Sequence, residues 1–267
     1  MHSRRLLQNS VAKNKNNMNK PELDIVIPVY NEGENMLDVC RAFERHVKTP
    51  FRVFVCYDFD EDNTLIALQK EKHNFEIIPV KNRGKGAHGA IVTGLRATTA
   101  PAVLTFGADE ANNAEIIDGM YGKFKEGNDI VVASRLIKGG EMSGGPRFKS
   151  FLVRMGSFFL HRLAFLPATD ATYAWRLFSR RVIDTIEIES SVGFTYAIEL
   201  LVKCHRLRWR VAEVPARWIM REKGKSRFNL KKWFPHYAKW FFYALETTYL
   251  KKGPETVTLR QKAPCSK

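Results

Sequence analysis

The chain has 267 residues and no long apolar run. A membrane-crossing helix needs ~20 consecutive apolar residues, and no segment here reads as one. The first twenty residues lack the apolar centre of roughly 7–15 residues that marks a secretory signal. They read instead as a disordered basic lead. Cysteine is scarce. Cys40, Cys56, Cys204 and Cys265 form no C-x-x-C pair, which argues against a disulfide scaffold or a thiolate zinc site and for reduced thiols in the cytosol. No internal repeat is visible. Acid is outnumbered, with 28 Asp and Glu against 43 Lys and Arg and a net charge of +15. Such a balance attracts phosphate, whether on nucleic acid, an anionic membrane or a nucleotide substrate.

What is present is a rhythm of strands and helices. Leu23–Tyr30, Phe51–Tyr57, Phe75–Val80, Val103–Phe106 and Asp129–Ser134 read as strands. Asn35–His46, Thr64–Lys72, Gly86–Thr98 and Ala114–Lys125 read as helices between them. The alternation predicts an α/β fold, a Rossmann-like and mostly parallel sheet with helices on both faces. Continuous Ile-Val-Ile and Ile-Val-Val runs suit strands buried on both faces. The glycine-rich stretch Lys138–Arg147 reads as a mobile loop. Phe148–Leu166 reads as an aromatic-rich basic helix, Arg210–Val214 as a last strand and Trp233–Leu250 as a last helix.

Polar groups collect where strands end. Glu32 follows the first strand, Asp58 the second, and Asp109 the strand at Val103–Phe106. Parallel sheets bind ligands at the carboxyl ends of their strands, so these acids are expected at one crevice. Gly84, Gly86 and Gly89 satisfy G-x-G-x-x-G, with Asp109 about 20 residues on. Two β–α units precede this motif, and Lys81-Asn82-Arg83 separates it from its strand. Both features argue against a dinucleotide site and for a flexible turn that brings backbone and Arg83 near a nucleotide.

The segments IVIPVYNEGEN, NRGKGAHGA, VVASRLIKGG, DATYAWRLF, GFTYAIELL and EVPARWIMREKGKSRF occur in this order, together with the strand ending at Asp58 and the segment around Asp109. This series resembles the family 2 inverting glycosyltransferases of GT-A fold, and within them the dolichol-phosphate mannosyltransferase, or polyprenyl-phosphate, branch. The resemblance runs from about Leu23 to Lys232. It implies a GT-A domain over residues 21–232, an amphipathic helix over 233–252 and a basic tail over 253–267.

The resemblance also implies roles. Pro28, Tyr30 and Glu32 would border base and ribose, Asp58 would accept a hydrogen bond from the base, and Cys56 would line that pocket. Ala108 and Asp109 match the second and third positions of the family's Asp-Ala-Asp motif. Arg135 would lie near the acceptor phosphate. Arg221 and Arg227 match the basic pair on the donor diphosphate, with Lys225 and Ser226 beside them. The donor would be a GDP- or UDP-sugar, and the acceptor a dolichol or undecaprenyl phosphate. Charge develops on the leaving diphosphate, which guanidinium groups and a divalent Mg²⁺ or Mn²⁺ stabilise. A phosphomonoester with a second pKa of ~6 is already largely anionic at neutral pH, so it needs no strong general base. The family pattern is incomplete here. Gly107 replaces the usual first Asp, and Ala111 stands where a further metal-side ligand is often found. Asp109 is the expected metal ligand, with Glu110 or Asn112 as substitutes.

Two rival readings stay open on sequence. A glycosyltransferase with a soluble or polysaccharide acceptor would need a base for a hydroxyl nucleophile, and Glu199 is the candidate. A nucleic-acid-binding protein would explain the charge, but not acids at three strand ends; no nucleic acid partner is expected. Trp233, Tyr237, Trp240 and Ala244 recur at helical spacing beside lysines, which predicts either an interfacial face on anionic lipid or a core-packing or homodimer helix. The interfacial alternative would place the protein peripherally on the cytoplasmic face of a membrane.

Overall fold

The computed structural model describes residues 21–144, 147–219 and 230–261. The chain divides into two units, Met1–Tyr121 and Gly122–Lys267.

The first unit carries β1 (Leu23–Pro28), β2 (Phe51–Tyr57), β3 (Glu76–Lys81) and β4 (Ala102–Thr105), all parallel, in the order β3-β2-β1-β4. Its helices are α1 (Asn35–His46), α2 (Asn63–Leu68) and α3 (Gly86–Ala97). A 3₁₀ turn at Ala111–Ile116 leads into α4 (Ile117–Lys125), inside which the unit boundary falls. The predicted strands and α1 match this closely. The second helix stops at Leu68 rather than Lys72, because the sequence from Gln69 to Asn74 has no apolar side chain to hold another turn on the sheet.

β1 is buried from Leu23 to Ile27, and Asp24 within it is 0% exposed. A buried carboxylate must be paired. Asp24 accepts bonds from Arg52 Nε (2.9 Å) and Nη2 (3.0 Å) on β2, and from the backbone N–H groups of Thr99 (2.7 Å) and Ala100 (2.8 Å) ahead of β4. One side chain thus ties three neighbouring strands together. On α1, Met36, Val39, Cys40 and Phe43 are buried at helical spacing, and the Phe43 ring packs edge-on against Phe106 at 5.2 Å. Gly94 lets α3 lie close to the sheet. A Cβ there would fall 2.5 Å from both Cys56 Sγ and Val26 Cγ1.

In the second unit, β5 (Ile130–Ser134) pairs antiparallel with β7 (Arg176–Ser179) and parallel with β8 (Val211–Pro215). The glycine-rich segment expected as a loop contains β6 (Glu141–Ser143), which pairs with β9 (Arg217–Ile219). Its glycines serve close approach: a Cβ on Gly140 would meet Ser134 O at 2.5 Å. The helices are α5 (Arg147–Leu163), α6 (Arg180–Thr185), α7 (Thr195–Arg206) and α8 (Leu230–Tyr249). α7 is buried over most of its length and packs against α8.

That packing corrects one expectation. Trp240 and Ala244, read as part of a lipid-facing stripe, are 1% and 0% exposed. The Lys203 ammonium of α7 lies 5.2 Å from the Trp240 ring centroid. The inward face of α8 covers α7, and the exposed aromatic residues are Phe234, Phe242 and Tyr249. An aromatic period locates a helix face but does not say which side of the molecule that face meets.

Candidate active site

In the first unit the chain runs from β1 to β2 and β3 on one side, then returns to β4 on the other. The order reverses between β1 and β4, and open α/β sheets bind ligands outside the strand ends at such a point. The backbone registers Pro28–Cys56 and Val26–Thr105 put the ends of β1, β2 and β4 on one edge. Tyr30, Asn31 and Glu32 leave β1 there, Asp58 leaves β2, and Asp109 follows β4.

These loops are tied together. Asn31 has a positive φ of 55°. Its N–H donates to Asp62 Oδ2 at 3.0 Å, while Asp62 Oδ1 caps α2 by accepting from Thr64 N–H at 2.9 Å. The Glu32 N–H donates to Thr64 Oγ1 at 3.0 Å, and the Glu32 carboxylate accepts from Asn35 Nδ2 at 3.3 Å. Asp62 is wholly buried. It ends the acidic run that follows β2, and its place directly before α2 carries an N-cap signal.

The predicted nucleotide residues take distinct positions. Pro28 and Asp58 are half-buried. Tyr30 is 45% exposed, with its ring edge-on to Phe59 at 5.4 Å. Asp58 Oδ1 accepts from Asn82 Nδ2 at 2.6 Å. Arg83 is exposed, and its N–H donates to Thr93 Oγ1 at 3.1 Å. Cys56 is fully buried against Gly94 of α3, and burial pushes its thiol well up. It fills the space between sheet and helix, which limits its part in a pocket to support from behind.

After β4, Ala108 is buried and Asp109 is exposed. Glu110 turns inward, 8% exposed, and accepts from Asn113 Nδ2 at 2.6 Å. Asn112 is exposed. Among the described residues, no group of three or more His, Cys, Asp or Glu could hold a metal ion. Magnesium is commonly held by one or two carboxylates, with substrate phosphates and water completing its shell. A single exposed Asp109 fits that mode of binding.

In the second unit Arg135 is buried and engaged by Asp170. Arg135 Nε donates to Asp170 Oδ2 (2.7 Å), and Nη2 donates to Asp170 Oδ1 (2.9 Å) and Thr172 Oγ1 (3.0 Å). The guanidinium carbon lies 4.5 Å from the Tyr173 ring centroid. Burial raises the Asp170 pKa, but the Arg135 charge and hydrogen bonds outweigh it, and the net shift is downward. Arg176 lies beneath this segment, 0% exposed, and donates to the carbonyls of Tyr173 (3.0 Å), Ala197 (2.5 Å) and Ala171 (2.6 Å). Burial pulls its pKa down to about 10. The segment Asp170–Phe178 reads in the sequence as an element that returns to the core, but nothing local marks Arg176 at the start of β7 as its buried cation.

Glu199, the candidate base, is wholly buried. Its oxygens accept from the N–H groups of Glu189 (2.6 Å) and Ser190 (2.8 Å) and from Lys203 Nζ (2.7 Å). It is a structural acid that closes a loop onto α7. Arg221, Lys225, Ser226 and Arg227 lie outside the described residues.

A family model described as "Glycosyl transferase family 2" matches residues 24–187. A dolichol-phosphate mannosyltransferase of Pyrococcus furiosus is 24% identical over 221 residues, which cover 80% of this chain and 61% of the relative. An undecaprenyl-phosphate 4-deoxy-4-formamido-L-arabinose transferase of Yersinia enterocolitica is 24% identical over 217 residues, covering 79% of this chain and 64% of that one. The chain therefore spans under two thirds of the length of these relatives. A solved structure of glucosyl-3-phosphoglycerate synthase from Mycobacterium tuberculosis with Mg²⁺ and UDP matches with a TM-score of 0.60 at 17% identity, covering 90% of this chain and 82% of that one. The same enzyme with phosphoglyceric acid gives 0.61 at 16% identity, covering 90% and 83%. The shared fold is the expected GT-A type α/β fold, and the chain belongs to glycosyl transferase family 2.

Proposed function

We propose that the protein transfers a sugar from a nucleotide-diphosphate sugar to a polyprenyl phosphate at a membrane surface, with inversion at the anomeric carbon. The observation that carries the lipid acceptor is the exposed face of α5. Phe148, Phe151, Leu152, Phe158 and Phe159 are 66%, 56%, 36%, 55% and 37% exposed and recur at helical spacing. Arg154 and Arg162 are exposed on the same helix, which contains no acid. Apolar rings beside cationic side chains suit the interface of an anionic bilayer. No described helix is long and apolar enough to cross a membrane.

In this reading Pro28, Tyr30, Glu32 and Arg83 border the nucleotide, and Asp58 accepts from its base. Asp109 would hold a divalent ion, with the donor diphosphate supplying further oxygens. That ion, when bound, would neutralise charge on the leaving diphosphate. Arg221 and Arg227 would act on the same diphosphate, flanked by Lys225 and Ser226. Arg135, expected near the acceptor phosphate, is instead buried and paired with Asp170, so its part would be to brace that segment. An acceptor that is already anionic needs no base, and a Glu199 that is buried and holds Glu189 N–H, Ser190 N–H and Lys203 favours it over a hydroxyl acceptor.

The test is a product assay. The protein is incubated with GDP- and UDP-sugars and a polyprenyl phosphate in anionic vesicles, with Mg²⁺, Mn²⁺ or EDTA. The expected result is a metal-dependent glycolipid from one donor class. Transfer only to soluble sugars or glycans would replace this reading with the polysaccharide one.

A further inference from the structure

α5 and α8 end in the same way. The Leu160 carbonyl accepts from the N–H groups of Ala164 and Leu166, both at 3.2 Å, and Phe165 between them has a φ of 50°. The Glu246 carbonyl accepts from the N–H groups of Leu250 (3.1 Å) and Lys252 (3.4 Å), and Lys251 between them has a φ of 51°. Left-handed backbone at a helix end is the usual place of glycine, which has no Cβ to clash. A bulky aromatic there is an outlier. Packing gives Phe165 little in return, since it is 67% exposed. Glycine would close the same turn without strain.

The two ends meet. Thr248 Oγ1 donates to Ala164 O at 2.8 Å, which sets the residues after α5 beside the last turn of α8. Around that bond Leu163, Phe165, Tyr249 and Leu250 are all exposed. Arg162, Lys251 and Lys252, their neighbours in the chain, are exposed as well. Glu246, one turn earlier in α8, is engaged by Lys252 at 2.9 Å and by Arg206 at 3.7 Å. The corner is apolar at its tip and cationic at its rim. A second copy of the same corner would bring cations against cations. An anionic bilayer suits it better: its interface takes up aromatic and aliphatic side chains, and its head groups attract lysine and arginine.

We propose that the joined ends of α5 and α8 form a wedge that inserts into the surface of an anionic bilayer, with Phe165 and Leu250 at its tip. The strained backbone at Phe165 is the cost of presenting that ring to lipid. The inference rests on the reading that the protein works at a membrane surface, and adds a second anchor to the rings along α5.

The test pairs two measurements on the full chain: sedimentation with vesicles of phosphatidylcholine and phosphatidylglycerol, and thermal unfolding in solution. Phe165→Gly is expected to bind these vesicles roughly tenfold more weakly, through lost apolar burial. It is also expected to unfold about 2 °C higher, because the left-handed strain is relieved. Phe165→Trp should bind like wild type and show additional tryptophan quenching by brominated lipid. Unchanged vesicle binding by Phe165→Gly, an unfolding temperature below that of wild type, or no added quenching in Phe165→Trp would each overturn the wedge. Equal binding of wild type to pure phosphatidylcholine vesicles would overturn the role of its cationic rim. Loss of binding by Phe151→Ser with Phe158→Ser, with Phe165→Gly unaffected, would remove the wedge and leave the membrane reading standing. A wild type that binds no vesicles would overturn both.

Discussion

In the first unit, Asp58 and Asp109 stand half-buried and exposed at the ends of β2 and β4. In the second, Arg135, Arg176, Glu199 and Lys203 are all buried. The first unit keeps these two carboxylates accessible, holds Asp58 through Asn82, and ties the loop after β1 to α2 through Asp62. The second uses strong charges as internal braces and leaves aromatic rings on the surface of α5. A charged residue in a family motif is therefore ambiguous until its burial is known. Asp109 and Glu199 both look like candidate acids, and one is exposed while the other closes a loop.

The braces of the second unit are the place to break this contrast first. Arg176→Met removes a buried cation that satisfies several backbone carbonyls and should cost about 3–5 kcal/mol of unfolding free energy. Urea denaturation checks it, and a loss below ~1 kcal/mol would mean that these carbonyls find other partners. Asp170→Asn should cost about 3 kcal/mol by leaving Arg135 without its carboxylate. The sign with pH is fixed by the direction of its shift. The folded-state pKa of Asp170 is depressed, so its stabilisation is fully present above the unfolded value of ~3.9. It fades as pH falls through the folded value. The stability gap between wild type and Asp170→Asn should hold steady at neutral pH and narrow below about pH 4.

Gly94→Ala probes the first unit. Its Cβ would press on Cys56 and Val26, and overpacking of this kind costs about 1–3 kcal/mol. Thermal unfolding reads the loss directly. The smallest effect on folding sharpens the contrast within the second unit. Phe151→Ser with Phe158→Ser should leave stability unchanged, since both rings are exposed, and should lower anionic-liposome binding about tenfold by exposing less apolar area to lipid. Trp240→Ser should show the opposite, destabilising the fold through its buried ring. Equal liposome binding by the double variant would remove α5 from the interface.

Much of the first unit was legible in the sequence. β2 and α1 match their predicted bounds because parallel strands buried on both faces give unbroken apolar runs, and α1 has a clear helical period. The acids at strand ends were legible for the same reason: the strands that carry them end sharply. The second unit was harder to read. β6 hides in a glycine-rich stretch, and β7 runs antiparallel with a buried arginine at its start. The inward turn of Trp240 depends on what α7 offers it, and no local pattern records that. Asn82 was passed over because its work is done through Asp58 and Gly84, which come together only when β2 and β3 pair.

The measurement that tests the account most directly is sugar transfer to vesicle-borne polyprenyl phosphate by wild type and by Asp109→Asn, with unfolding followed in parallel. Asp109 is exposed, so the variant should fold with wild-type stability. It should lose roughly a hundredfold or more of its turnover, as expected when the carboxylate that would hold the charge-neutralising divalent ion is removed. Full turnover by a folded Asp109→Asn, or no glycolipid from wild type with any donor, would contradict the account.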